Sequence, residues 1–178
     1  MDHMLLSWFG EVFGSESEDY RALADGIKEN PERISRAYQD LLSGARTDPL
    51  TLLKPVRDLE AGEVHGLVQV GDIPFVSMCA HHFLPFFGTA TVAYRPGTRI
   101  IGIGKIPRMV DCLARRFQLQ ETLTELIAGT LFRGADAEGA WARLNAQHLC
   151  MSHRGPTAIT AMTTTSHGVG VLAGHSAP

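Results

Sequence analysis

Cys79-Ala80-His81-His82 and, far along the chain, His148-Leu149-Cys150 gather two thiols and three imidazoles into two short stretches. Thiolate and imidazole are the donors that zinc prefers, and three protein ligands with a fourth position open is the arrangement of a catalytic zinc rather than a structural one. Cys79 and His82 are three residues apart, so one helical turn carries both to a single metal, and Cys150 completes the set. His81 and His148 are then left for proton transfer near neutral pH. Unrelated buried thiols are the plain alternative for a Cys-x-x-His pair. A His-x-Cys pair on one strand face weighs against it, because an imidazole buried beside a thiol needs a polar reason to be there.

Cations stand near the same stretches. Lys105 and Arg108 open a long amphipathic segment just after Gly102 and Gly104, where backbone N–H groups and two positive charges make a phosphate site. Gly-Ile-Gly-Lys lacks P-loop spacing. Arg154 follows the second motif, and Arg33 and Arg36 lie on the first helix; Arg115 and Arg116 read as solvated charges. Gln120-Glu121 is either ordinary helix surface or an amide and a carboxylate set to recognise a purine amidine edge.

The elements that must hold these groups follow from pattern. Residues 1–29 read as an N-terminal arm and 30–178 as one domain, a length that buries a sizeable core. Asn30-Pro31-Glu32 starts a helix that Gly44 closes, and 53–66 is a connection rich in loops. Leu67 to Met78 reads as a strand with a bulge at Gly71-Asp72, and Phe87 to Tyr94 as another. One long helix runs from Pro107 to Gly134. Strand alternation from Trp141 to Cys150 sends Ala142, Leu144, Ala146, His148 and Cys150 to one face. A last, Thr-rich strand spans 158–166. This order favours α+β with an antiparallel sheet and helices on one face.

A net charge of −3 offers no electrostatic case for nucleic acid or an anionic membrane. No apolar run reaches the ~20 residues of a membrane-spanning helix, and residues 1–13 lack the basic start of a signal peptide. Three cysteines, an odd number, argue against a disulfide framework and for a reducing, cytoplasmic compartment. Cys112 reads as a small buried hydrophobe.

Over residues 30–170 the chain resembles GTP cyclohydrolase I. The resemblance rests on Pro31-Glu32-Arg33-Ile34 through Ser43-Gly44, on Cys79-Ala80-His81-His82, Ala90-Thr91-Val92-Ala93-Tyr94 and Ile101-Gly102-Ile103-Gly104-Lys105, and on Gln118-Leu119-Gln120-Glu121, His148-Leu149-Cys150, Arg154-Gly155 and Thr163-Thr164-Thr165-Ser166. It implies a tunnelling fold, a four-stranded antiparallel sheet with two main helices, whose subunits form a toroidal barrel, a homodecamer with active sites between subunits. It also implies zinc on Cys79, His82 and Cys150, with His81 and His148 catalytic. By the same resemblance Glu121, assisted by Gln120, is expected to hold guanine, and Lys105, Arg108 and Arg154 the triphosphate, joined by Arg33 and Arg36 of a neighbouring subunit. The reaction this resemblance implies is attack of zinc-activated water on C8 of GTP while His148 protonates the imidazole nitrogen, followed by loss of formate and formation of 7,8-dihydroneopterin triphosphate for folate or a related pathway. The chain departs from the family pattern at Ala80, usually Glu, and at Gly104, commonly Ser. Those departures keep two other readings open: a relative that stops at the ring-opened formamide or takes another purine nucleotide, and a non-catalytic nucleotide-binding subunit.

Overall fold

The computed structural model describes residues 2–175. Its contacts divide the chain into two units, one running to Asp40 and one starting at Leu41. The boundary expected at 29/30 falls inside the first of these, between two helices.

The first unit is helical: α1 (Asp2–Phe13), α2 (Glu18–Glu29) and α3 (Glu32–Leu41). Gly14 ends α1 with φ 81 and its N–H on the Gly10 carbonyl. The polar run that follows, part of the N-terminal arm read from sequence, starts α2. Ser17 accepts from the Tyr20 N–H at 3.1 Å, and Glu18 and Asp19 occupy the first turn, where the helix dipole favours negative charge. Arg33 and Arg36 belong to α3, and Arg36 donates to the Asn30 side-chain oxygen at 3.1 Å.

The second unit comprises β1 (Pro55–Asp58), β2 (Val68–Cys79), β3 (Pro85–Arg95), β4 (Arg99–Ile101), α4 (Lys105–Ala114), β5 (Phe117–Gln118), α5 (Gln120–Gly134), β6 (Gly139–His148), α6 (Leu149–Ser152) and β7 (Thr163–Gly170). The main sheet has the order β5-β2-β3-β6-β7, and β1 pairs with β4 in a separate ribbon. Its four long strands are antiparallel, as expected. The fifth is a two-residue parallel addition, Phe117 and Gln118 against Met78 and Cys79. Among the described residues no strand covers the rest of that edge of β2, and β7 is paired along one side only. The expected bulge lies between Val70 and Ile73, where Asp72 takes φ 51.

One face of the sheet carries the core. Phe86, Ala90, Val92 and Tyr94 of β3 and Ala142, Leu144 and Ala146 of β6 pack against Ile106, Met109, Val110 and Leu113 of α4 and Leu123, Ile127 and Leu131 of α5. Each large side chain buried there contributes about 1.5–3 kcal/mol. Thr89, Arg143 and Asn145, on alternate positions, are exposed, so the helices cover a single face.

The helix expected over 107–134 is two helices, and Gln118 shows why. Its Nε2 donates to the Leu113 carbonyl at 2.7 Å, the Ala114 carbonyl at 3.2 Å and Ser77 Oγ at 3.1 Å. The last carbonyls of α4 are thus satisfied from outside the helix, which ends there. The chain then pairs briefly with β2 before α5 begins at Gln120.

Candidate active site and metal centre

Four element ends converge. Cys79 is the last residue of β2, His148 the last of β6, Cys150 lies in the one-turn α6, and Gln120 opens α5. One ligand atom from each of Cys79, His148 and Cys150 lies within 4.8 Å of the other two. Around a tetrahedral zinc such atoms stand about 3.5–3.8 Å apart, so this donor set fits the metal after a small contraction. Strand alternation placed His148 and Cys150 together for the wrong local reason. β6 ends at His148, and the turn of α6 brings the thiol round.

His81 and His82 stand in the turn after Cys79, both exposed, their rings 6.1 Å apart and edge to face. That turn is closed by the Phe83 N–H on the Cys79 carbonyl at 2.9 Å and by the Cys79 N–H on the Leu84 carbonyl at 2.9 Å. Phe83 takes φ 56 and lays its ring 4.5 Å from that of Phe117. The imidazole grouped with the two thiols is therefore that of His148, and His82, expected from spacing as the third ligand, lies in the adjoining turn.

His148 is held on two sides. Buried Phe86 stacks on it with centroids 4.6 Å apart and planes 2° from parallel, and its Nε2 is 2.7 Å from Gln120 Oε1. Burial lowers its pKa, partly opposed by the negative charge of Glu121. Burial raises the pKa of Cys150, Cys79 beside it adds to the rise, and the charge of Arg154 works the other way. Both shifts favour the neutral form of the group, so a metal that took Cys150 as a thiolate would have to displace its proton.

Gln120 is only 1% exposed, with its side-chain amide bonded inside the protein. Glu121, next to it, is exposed and lines a cavity of about 250 Å³ with Thr124, Glu125, Thr165, Ser166 and His167. Lys105 opens α4, while Arg108, one turn on, lines a larger hollow of about 560 Å³ that also takes in Ser43, Thr47, Asp111 and Arg115. Arg154 is exposed just beyond α6. Sequence reasoning missed Phe86, Thr124 and Thr165 as supports of the site. A strand Phe and helix or strand Thr carry no signal of that role until the fold brings them to His148 and Gln120.

The family model described as GTP cyclohydrolase I matches residues 13–177. Among curated relatives, GTP cyclohydrolase 1 of Parabacteroides distasonis is 41% identical over 166 residues, 93% of this chain and 83% of that one. GTP cyclohydrolase 1 of Campylobacter jejuni subsp. doylei is 42% identical over 142 residues, covering 80% and 74%. The enzyme of the same name from Thermoanaerobacter pseudethanolicus is 43% identical over 143 residues, again covering 80% and 74%. Matched by that model over nearly its whole length and by these relatives at 41–43% identity, the chain belongs to the GTP cyclohydrolase I family.

Proposed function

We propose that this chain hydrolyses the imidazole ring of GTP at C8, releases formate and yields 7,8-dihydroneopterin triphosphate. The observation that carries the reading is the group of Cys79, His148 and Cys150 in a chain whose curated relatives are GTP cyclohydrolases. We assign zinc to Cys79, Cys150 and, following the family pattern, His82, which leaves His148 beside the metal as proton carrier and His81 as its partner. Bound zinc supplies Lewis acidity, which activates water and polarises a formyl oxygen.

The remaining work falls to the chain's own groups. His148 relays the proton that the ring nitrogen of the purine takes up as C8 is attacked, receiving it on its free ring nitrogen, and burial, which lowers its pKa, favours its giving that proton up again. Glu121, an acceptor lining the 250 Å³ cavity, suits the N1–H and 2-amino donors of guanine. Lys105, Arg108 and Arg154 bind the triphosphate. Arg33 and Arg36 join them from a neighbouring copy in a homo-oligomer, a decamer by the family pattern. Three free thiols suit the cytoplasm, and no helix among the described residues is long and apolar enough to cross a membrane.

Purified protein given GTP should release formate and, after oxidation, a fluorescent pterin; neither product appearing overturns the proposal. Ala80 favours one second reading, arrest at the formamide, which mass spectrometry of the product separates from full conversion. Zinc content of two variants tests the ligand assignment. His82→Ala should lose metal, while His148→Ala should keep it and lose turnover, and the reverse pattern makes His148 the ligand.

A further inference from the structure

The buried amide of Gln120 sits at the head of a hydrogen-bond chain whose direction is fixed by elimination. Its Nε2 faces two backbone carbonyls, Leu144 at 3.3 Å and Thr163 at 3.0 Å, and Thr165 Oγ1 at 3.2 Å. Carbonyl oxygens only accept, so turning the amide over would set oxygen against oxygen in a site from which water is excluded. Thr124 has one hydroxyl proton and places it on the Gln120 backbone carbonyl at 2.7 Å. Thr165, 2.6 Å from Thr124 Oγ1, must then be the donor of that pair, which leaves its own lone pair for the Gln120 N–H. Every bond in the chain runs one way. Gln120 Oε1 is therefore locked as an acceptor, and the atom it faces at 2.7 Å is His148 Nε2.

We propose that Gln120, fixed by Thr124 and Thr165, is a positioning residue that holds neutral His148 as the Nε2–H tautomer and so presents Nδ1 as the lone pair of the ring. Phe86, stacked at 4.6 Å, keeps the ring from rotating out of that bond. This assigns Gln120 a different task from guanine contact, since its amide hydrogens are spent on Leu144, Thr163 and Thr165. The tautomer assignment stands on geometry alone; its bearing on turnover rests on the role proposed for His148.

The test reads the ring directly. In metal-free protein labelled with ¹⁵N-histidine, at a pH where imidazoles are neutral, wild-type His148 should show the nitrogen shifts of a protonated Nε2 and a bare Nδ1. A protonated Nδ1 in the wild type overturns the proposal whether or not any variant folds. Gln120→Leu should give a mixture of tautomers, and Gln120→Glu, which keeps an acceptor facing Nε2, should restore the single form; an unchanged tautomer in Gln120→Leu also counts against it. With GTP, Gln120→Leu should lower kcat on the order of 10- to 100-fold, the usual loss when a partner orienting an active-site imidazole is removed, with KM nearly unmoved. A raised KM at unchanged kcat would instead make Gln120 a substrate contact. The nitrogen spectrum needs neither zinc nor substrate, so failure of the GTP reading leaves it intact.

Discussion

Gly104 precedes α4 with φ −66 and ψ −10, values open to any residue, and a Cβ there would meet nothing within 4 Å. The position where the family resemblance leads one to expect serine therefore accepts a serine without strain. One added hydroxyl contact to a phosphate oxygen is worth about 0.5–1.5 kcal/mol, so Gly104→Ser should lower KM for GTP by roughly 2- to 12-fold. Steady-state kinetics at saturating metal checks it, and an unchanged KM removes Gly104 from the phosphate site. Ala80 is a different case. It is exposed in the turn beside the thiols, and no hydrogen bond fixes what a longer side chain there would reach. At this scale much of the site was legible. Cys79 and Cys150 were read from residue type and spacing as ligands with His82; the two thiols do come together, but the imidazole grouped with them is that of His148, read as a proton carrier. Their supports were not legible, because Phe86 and Thr165 acquire meaning only across strand register.

Between residues, the break after Ala114 sets where the site begins. Gln118→Leu removes the donor that serves the Leu113 and Ala114 carbonyls and leaves them buried, which should cost about 1–3 kcal/mol. Thermal unfolding of the variant checks this, and an unchanged midpoint assigns the end of α4 to some other cause. The amphipathic pattern ran straight across this break because Arg115 and Arg116 are good helix formers, and a buried glutamine cap acts through tertiary contact. Cys150 was misplaced on a strand for a related reason, since alternation of type continues two residues past the last ladder pair of β6. Another local device closes the connection after β1. Arg57 pairs with Glu63, and Glu63 also accepts from the Glu60 N–H at 3.0 Å and from His65 at 2.7 Å. The Arg57 guanidinium, with those two further bonds, holds the Glu63 carboxyl far below its ordinary value of 4.5. A carboxyl shifted downward adds stability that is complete above its unfolded pKa and lost as pH falls toward the folded one. Protease cleavage within 59–66 should therefore stay flat above about pH 5 and rise as pH drops below the ordinary carboxylate range. Glu63→Gln should abolish that rise by opening the loop at every pH.

Over the whole molecule, Arg33 and Arg36 lie in the first unit and the thiols in the second, and we propose that they meet between copies. Two inactive variants then complement each other. His148→Ala subunits co-assembled with Arg33→Ala/Arg36→Ala subunits should regain up to about a quarter of wild-type turnover, because random mixing rebuilds that share of sites from two intact contributors. No recovery in mixed oligomers, verified by mass, would confine the site to one chain. The sheet itself bears on this. β2 is covered by β5 only at Met78 and Cys79, and β7 is paired on one side only among the described residues. Such edges display unmet backbone donors and acceptors, which a second sheet of the same kind satisfies end to end. Cys79 lies where β5 covers that edge among the described residues, so in the proposed oligomer the thiol-bearing strand is anchored within its own chain before a neighbouring copy docks. Refolding should accordingly separate into two kinetic regimes. Assembly of the thiol pair should be first order in protein and independent of concentration, while the closing of strand edges should be second order and set the pace in dilute solution.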